Sequence, residues 1–175
     1  MFIDISELLS VDNKQVEVDA DIEMDRFVSR ISDYEIVDKK KMKIRLVNTG
    51  KRTFSLSTVI EFSMMIPCGR CLEDVKYDMY IDVDKTIDMN ESRSDEDDEQ
   101  DFDSFISEEK LDVEKLVYNE VLVNLPMKVL CSENCKGICN RCGANLNSQT
   151  CDCDTTELDP RMSKIRDIFN NFKEV

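Results

Sequence analysis

The sequence predicts an α+β protein, in which an antiparallel β-sheet or partly closed barrel is followed by helices and a Cys-rich zinc module. Apolar and polar residues alternate through much of the first 89 positions, which is the pattern of half-buried strands. Beyond position 110 the apolar period becomes three to four residues, which is typical of a helix. The chain also has eight cysteines, and thiolates in close pairs are zinc ligands.

Two long runs predict the principal strands of the sheet. At 53–66 the even positions are apolar, apart from one Thr, and the odd positions are mostly polar. At 75–89 the odd positions are apolar and the opposite face is acidic. Shorter alternating runs at 16–22 and 42–46 add two strands, and Asn-Thr-Gly-Lys at 48–51 has turn chemistry. The pattern therefore indicates a meander or a partly closed barrel.

Two helices follow an acidic segment. Asp112 is placed to cap the first helix, which Pro126 should end because proline disfavours helical geometry at the residue before it. Asp159 and Pro160 have the residue types that start a second helix. The apolar stripes are Val113, Leu116, Val117 and Val121, with Asn124 on the same face, and Met162, Ile165, Phe169 and Phe172. We divide the chain into a sheet domain at 1–89, an acidic linker at 90–109, and a region of helices and cysteines at 110–175.

Composition limits the function. The chain has no His, which removes His-based acid–base catalysis and every nucleophile that depends on a His partner. The formal net charge is −15, and residues 90–109 hold ten acids and one Arg. Such a chain is suited to a basic protein more than to nucleic-acid phosphates. No apolar run reaches the roughly 20 residues of a membrane span, and no signal peptide is evident. We therefore expect a cytoplasmic protein with reduced cysteines, no membrane partner and no small-molecule substrate.

The cysteines predict two metal sites. Two pairs have the C-x2-C spacing with which a tight turn presents two thiolates to one zinc ion: Cys68 with Cys71, and Cys139 with Cys142. The economical grouping places Cys139, Cys142, Cys151 and Cys153 in one site and Cys68, Cys71, Cys131 and Cys135 in the other. That grouping predicts two structural Zn²⁺ ions. A different sharing among the six C-terminal cysteines is also compatible with the spacing.

Other interpretations of the cysteines are an iron–sulfur cluster, a redox C-x2-C pair, or unconnected buried thiols. No ferredoxin-like run is present, and a redox pair requires a βαβ context that this antiparallel pattern lacks. A site closed by four thiolates has no open position for water or substrate. We therefore interpret both sites as structural rather than catalytic.

Basic residues offer a weaker candidate site for RNA or a protein partner. Lys39, Lys40, Lys41, Lys43 and Arg45 form a local basic run, and this pattern is also typical of the solvated face of a strand. Arg70 and Arg141 lie inside the two C-x2-C turns, where outward-pointing side chains would reach phosphate groups.

Several of these segments together resemble the YceD family. They are Cys68-Gly-Arg-Cys71-Leu-Glu after a long strand, the helix ending Asn124-Leu-Pro, Cys135-Lys-Gly-Ile-Cys139, and Cys142-Gly-Ala-Asn-Leu-Asn147 followed by Cys151-Asp-Cys153 and Asp159-Pro-Arg161. The resemblance runs from about residue 40 to the C-terminus. It implies a bacterial factor needed for accumulation of 23S rRNA of the large ribosomal subunit. It also implies a small zinc-binding ribosomal protein as a partner, and it favours grouping Cys68 and Cys71 with Cys131 and Cys135.

Together these inferences predict a non-catalytic zinc-binding factor in large-subunit biogenesis, which binds a basic large-subunit ribosomal protein, 23S rRNA precursor, or both. The alternatives are a regulatory RNA-binding module and a thiol- or metal-dependent enzyme.

Overall fold

A computed structural model of the chain describes residues 1–89, 105–107 and 109–153. The predicted helix at 160–172 and most of the acidic linker lie outside these residues. The strands are β1 (Phe2–Asp4), β2 (Gln15–Ala20), β3 (Arg26–Val28), β4 (Asp33–Lys39), β5 (Met42–Gly50), β6 (Thr53–Pro67), β7 (Asp74–Asp88), β8 (Ile106–Ser107) and β9 (Lys110–Asp112). The helices are α1 (Ser6–Ser10) and α2 (Val113–Asn124).

The larger sheet is an antiparallel meander of four rows. Two of these rows are each made of two shorter strands instead of one long strand. β7 pairs with β6 along its whole length, from Asp74 opposite Pro67 to Asp88 opposite Thr53. The other edge of β6 is shared, because β5 pairs with its first residues and β4 with its last ones. β2 then pairs with β5, and β3 pairs with β4. The sheet is therefore four rows wide, and the predicted meander is present.

The predicted partial closure into a barrel is not confirmed in the part of the chain that the structure describes. There, β7 pairs only with β6, and β2 and β3 at the opposite side pair only with β5 and β4. Alternation of apolar and polar residues decides which face of a strand is buried. It contains no information on whether the two outer rows of a sheet meet, so the sequence could not distinguish an open sheet from a barrel.

The alternation itself is confirmed. In β6 the even positions from Phe54 to Ile66 are buried, including Thr58. In β7 Met79, Ile81 and Val83 are buried, and the acidic positions on the other face are exposed.

The turn between β5 and β6 lies slightly later than the sequence predicts. Lys51 and Arg52 form a two-residue connection, and both have positive φ angles, 57° and 59°. Asn48 lies within β5 instead, and its buried side chain donates hydrogen bonds to the carbonyls of Leu8 and Val11. The Asn therefore anchors α1 to the sheet, and its Oδ1 accepts from the N–H of Gly50 at 2.8 Å just before the turn.

α2 begins and ends as predicted. The side chain of Asp112 accepts hydrogen bonds from the backbone N–H groups of Glu114 and Lys115, at 3.1 and 3.3 Å. The helix ends before Leu125, which is extended, as expected for a residue that precedes proline. The four predicted apolar side chains of α2 are buried. Asn124, which was expected on the same face, is exposed.

β1 pairs with β9, and β9 pairs with β8, in a small second sheet beside α2. Leu111 in β9 and Val117 in α2 belong to the same apolar core as Phe54 in the larger sheet. These short strands were not predicted, because two or three residues are too few to show a period. Among the described residues, no helix is long and apolar enough to span a membrane.

Candidate metal centres

The first cysteine cluster joins the tip of the β6–β7 hairpin to the segment after α2. The four Sγ atoms of Cys68, Cys71, Cys131 and Cys135 all lie within 4.8 Å of one another. The distance is 3.8 Å between Cys68 and Cys135, and 3.5 Å between Cys71 and Cys131. Four sulfurs placed about 2.3 Å from a tetrahedral ion are about 3.8 Å apart. The cluster therefore has the dimensions of a four-thiolate metal site.

The second cluster is local in sequence. The Sγ atoms of Cys139, Cys142, Cys151 and Cys153 also lie within 4.8 Å of one another. Cys139 is buried, Cys142 is exposed, and the other two are half-buried. The structure thus brings the eight cysteines together in the same two groups of four that the sequence predicts. All eight are free thiols, and either group could hold a metal ion.

Backbone N–H groups favour the thiolate form of the first cysteine in each C-x2-C turn. The N–H of Cys71, together with those of Cys131 and Arg70, lowers the pKa of Cys68 to about 6. In the second turn, the N–H groups of Cys142 and Arg141 lower the pKa of Cys139 to about 6. A hydrogen bond to the charged form of a group stabilises that form. One thiolate in each cluster is therefore prepared for metal binding.

Other thiols in the same clusters have raised pKa values. At Cys71 the backbone N–H of Glu73 lowers the pKa, but burial and the other three thiols outweigh it and raise the pKa to about 12. The neighbouring Cys142, then burial and Cys139, raise the pKa of Cys153 to about 12. Because like charges at this distance repel, four thiolates can be present together only around a cation. The donor set is all sulfur, which suits zinc or an iron–sulfur cluster.

The loops around the first cluster are held by further hydrogen bonds. Gly69 N–H donates to the carbonyl of Val129 at 2.8 Å. The Arg70 guanidinium donates through Nη1 to the carbonyl of Cys135 at 2.9 Å. Arg70 is exposed, as the sequence suggested, but one of its guanidinium nitrogens is bonded within the cluster. Arg141, in the other turn, is exposed.

Most of the predicted basic run is paired with carboxylates. Lys39 contacts Asp25 at 2.6 Å and Lys41 contacts Asp21 at 3.5 Å. Lys40 forms an ion pair with Glu61, which raises the pKa of Lys40. On β5, Lys43 lies opposite Asp19 and Arg45 lies opposite Glu17 in the neighbouring strand β2. The run therefore has much less free positive charge than the sequence suggests.

The outer face of β7 is instead acidic. Asp78, Asp82, Asp84 and Asp88 are exposed there, on alternate positions around Tyr80. Asp78 accepts a hydrogen bond from the Ser63 hydroxyl at 2.7 Å. This acidic strand face is visible in the sequence but was not among the predicted sites. The regular spacing of Asp along the strand was the signal that could have identified it.

The model of one protein family matches residues 56–169, and its description is "Large ribosomal RNA subunit accumulation protein YceD". The chain belongs to the YceD family. The match includes all eight cysteines of the two clusters, so both candidate metal centres lie within the family's region.

Among relatives, "Uncharacterized protein YlbN" of Bacillus subtilis is 23% identical over 171 residues, which is 97% of each chain. "Uncharacterized protein Rv2926c" of Mycobacterium tuberculosis is 29% identical over 102 residues, covering 58% of this chain and 49% of the relative. "Large ribosomal RNA subunit accumulation protein YCED homolog 1, chloroplastic" of Arabidopsis thaliana is 25% identical over 160 residues, covering 77% of this chain and 50% of the relative. This chain thus spans about half of the last two. No solved structure matches it significantly.

Proposed function

We propose that this chain is a non-catalytic zinc-binding factor in biogenesis of the large ribosomal subunit, where it binds a basic ribosomal protein and thereby supports accumulation of 23S rRNA. The family description supports the link to large-subunit rRNA. The observation that carries the choice of partner is the acidic outer face of β7. The proposed site of action is the cytoplasm, since eight free thiols suit a reducing compartment.

Zinc is the metal that we propose for both clusters. Cys68, Cys71, Cys131 and Cys135 would hold one ion, and Cys139, Cys142, Cys151 and Cys153 the other. Zinc accepts tetrahedral four-thiolate sites without a preference from its d electrons, and such sites are structural. Each ion would fix the surrounding loops. The four thiolates leave no open position for water or substrate, which supports the absence of catalysis in this proposal.

The charge distribution supports a basic protein as the partner. Residues 74–109, which include β7, contain fifteen acidic and three basic residues, a net of −12 out of −15 for the whole chain. The exposed Asp side chains of β7 lie along one face of a strand at the sheet edge, with Tyr80 and Thr86 between them. Such a field attracts a positively charged partner and accelerates their encounter. It repels the phosphates of RNA.

Direct binding of rRNA is the second candidate. Arg141 is exposed in the second cysteine turn, and Lys43 and Arg45 are exposed on β5. These three side chains could contact phosphates. The ion pairs of Lys39, Lys40 and Lys41 leave that surface small, so we rank this candidate below the basic protein.

Purification of the tagged chain from its native cells, without nuclease, tests the proposal. We expect a basic ribosomal protein to co-purify with the chain and to stay bound after RNase treatment. The Asp82→Asn/Asp84→Asn variant should lose most of this partner. Glu17→Gln/Asp19→Asn is the matched control, because it removes the same charge from an exposed strand at the opposite side of the sheet.

Added salt should weaken the complex, because interactions between exposed charges are screened. Recovery of rRNA alone, with no loss in the Asp82/Asp84 variant, would favour the RNA-binding module and contradict the proposed partner. Recovery of neither protein nor RNA from zinc-loaded chain would contradict both candidates.

A further inference from the structure

The loop between Cys142 and Cys151 belongs to the second cluster but reaches back to the first. Its early part pairs with the preceding residues: Cys139 N–H donates to the carbonyl of Ala144 at 2.8 Å, and Leu146 N–H donates to that of Gly137 at 2.9 Å. These bonds place residues 145–147 beside the segment that carries Cys135. The loop is therefore held at both ends by ligands of one cluster and in its middle against the other.

Asn147 makes a direct contact with a thiol of the first cluster. Its side-chain Nδ2 donates to Cys135 Sγ at 3.3 Å, and its Oδ1 accepts from the backbone N–H of Lys136 at 2.8 Å. Hydrogen bonds to a ligand sulfur disperse its charge and fix its orientation, and the loss of such partners weakens metal binding.

Asn145 supports the same contact from the other side. Its side-chain Oδ1 accepts from the backbone N–H of Asn147 at 2.9 Å, which holds Asn147 in position. Its Nδ2 donates to the Glu73 carboxylate at 2.7 Å. Glu73 is two residues beyond Cys71, and its carbonyl accepts from the N–H of Cys68 at 2.8 Å. The loop thus contacts both cysteine-bearing segments of the first cluster.

From these contacts we propose that the two metal ions bind with positive cooperativity, and that Asn147 is the positioning residue through which the second site strengthens the first. The inference depends on the two zinc sites of the proposed function. An ion at the second site closes the loop and removes its conformational freedom. The entropic cost of placing Asn147 against Cys135 is then no longer part of ion binding at the first site. By thermodynamic linkage, an ion at the first site must raise the affinity of the second site for its ion by the same factor.

A zinc titration of the full chain tests the coupling. The reduced protein competes with a chromophoric chelator, and the affinity of each site is obtained from the competition curve. In the wild type we expect two ions. Removal of the second site by Cys151→Ser/Cys153→Ser should weaken the first by about 5- to 150-fold, which is the usual range of coupling between sites. Asn147→Ala alone should weaken the first site by about 10- to 100-fold.

The two changes together form a double-mutant cycle. If Asn147 carries the coupling, removing the second site in the Asn147→Ala background should cost much less than in the wild type. Asn147→Asp should be at least as damaging as Asn147→Ala, because it loses the N–H donor and adds negative charge beside a thiolate. Asn124→Ala is the control, since its side chain only donates to the carbonyl of Glu120 at the end of α2.

Independent binding would overturn the inference. One such result is a wild type that binds two ions and a first-site affinity that Cys151→Ser/Cys153→Ser does not change. Another is a wild type that binds two ions and affinity losses from Asn147→Ala and the double Cys change that simply add. Either result contradicts cooperativity and leaves the proposed function intact. Fewer than two ions in the wild type contradicts the zinc sites themselves and the coupling with them. If the double Cys variant does not fold, Asn147→Ala with unchanged first-site affinity is by itself sufficient to overturn the role of Asn147.

Discussion

At the scale of single residues, Leu72 and Gly143 occupy equivalent positions in the two cysteine turns. Each follows the second Cys of a C-x2-C pair, and each donates its N–H to the carbonyl of the first Cys, at 3.0 and 2.9 Å. Both have positive φ angles, 63° for Leu72 and 75° for Gly143. A side chain makes this conformation less favourable by about 1–2 kcal/mol. The Leu72 side chain is also 64% exposed. It therefore gains little apolar burial to offset the unfavourable backbone conformation.

Leu72→Gly should therefore stabilise the zinc-loaded protein. We expect the free energy of unfolding to rise by about 0.5–1 kcal/mol, because relief of the left-handed strain exceeds the added freedom of glycine in the unfolded chain. Urea denaturation monitored by circular dichroism, with zinc present throughout, measures the change. Gly143→Leu is the matched reverse variant and should destabilise, although no atom of the described residues lies within 4 Å of the added Cβ. A less stable Leu72→Gly would show that the leucine side chain makes a stabilising contact.

At the scale of elements, the first cluster fastens the long β6–β7 hairpin to the segment that follows α2. The strands pair over 15 residues each, and the hairpin tip holds Cys68 and Cys71. The N–H of Ile138 donates to the carbonyl of Arg70 at 3.1 Å, so the tip also contacts the second cysteine-bearing loop. Because Cys71 and Cys131 are 60 residues apart in sequence, an ion bound between them would be a long-range cross-link.

Cys68→Ser should release that cross-link. We expect bound zinc to fall from two ions to one, and the melting temperature to fall by about 5–10 °C, since a ligand at 100 times its Kd stabilises by about 2.7 kcal/mol. Elemental analysis measures the bound zinc, and a thermal scan at saturating zinc measures the melting temperature. Hydrogen exchange at Gly69 should rise strongly in Cys68→Ser and less in Cys153→Ser, in which the first cluster keeps all four of its thiols. Unchanged zinc content and melting temperature in Cys68→Ser would contradict the grouping of the cysteines.

At the scale of the whole molecule, the apolar core and the cysteine clusters are separate. One continuous core joins the larger sheet, α1, α2 and the small sheet around β9. The buried cysteines Cys68, Cys71 and Cys135 form their own group, against which Val75 and Leu130 pack, and Val75 also contacts the larger core. Apolar burial therefore stabilises the sheet without metal, whereas Val129 is the one aliphatic side chain that the described loops at 126–153 bury in the core.

Removal of zinc should thus loosen one part of the molecule and spare the other. With a chelator at neutral pH, the β-sheet signal in circular dichroism should persist, while trypsin should cleave faster at Lys128, Lys136 and Arg141. The exposed Lys43 and Arg45 within β5 serve as an internal control, and their cleavage should not change. Unfolding of the sheet together with zinc loss would contradict the separation of the two parts.

Local features of the sequence determined much of this fold. The period of two in β6 and β7, the cap at Asp112 and the stop before Pro126 depend only on residues within a turn or along a strand. The C-x2-C spacing likewise brings two thiolates together by itself. These features predicted the buried faces, α2 and the two paired-cysteine turns without any knowledge of distant parts of the chain.

The tertiary structure decided the remaining points, because each depends on segments that are far apart in sequence. It placed Cys131 and Cys135 against Cys68 and Cys71, where the spacing alone left other groupings open. It left the sheet open rather than closed among the described residues. It also placed carboxylates beside Lys39, Lys40 and Lys41 and occupied Arg70 with a backbone carbonyl. The free charge of a surface depends on which side chains meet there, and only the path of the whole chain determines that.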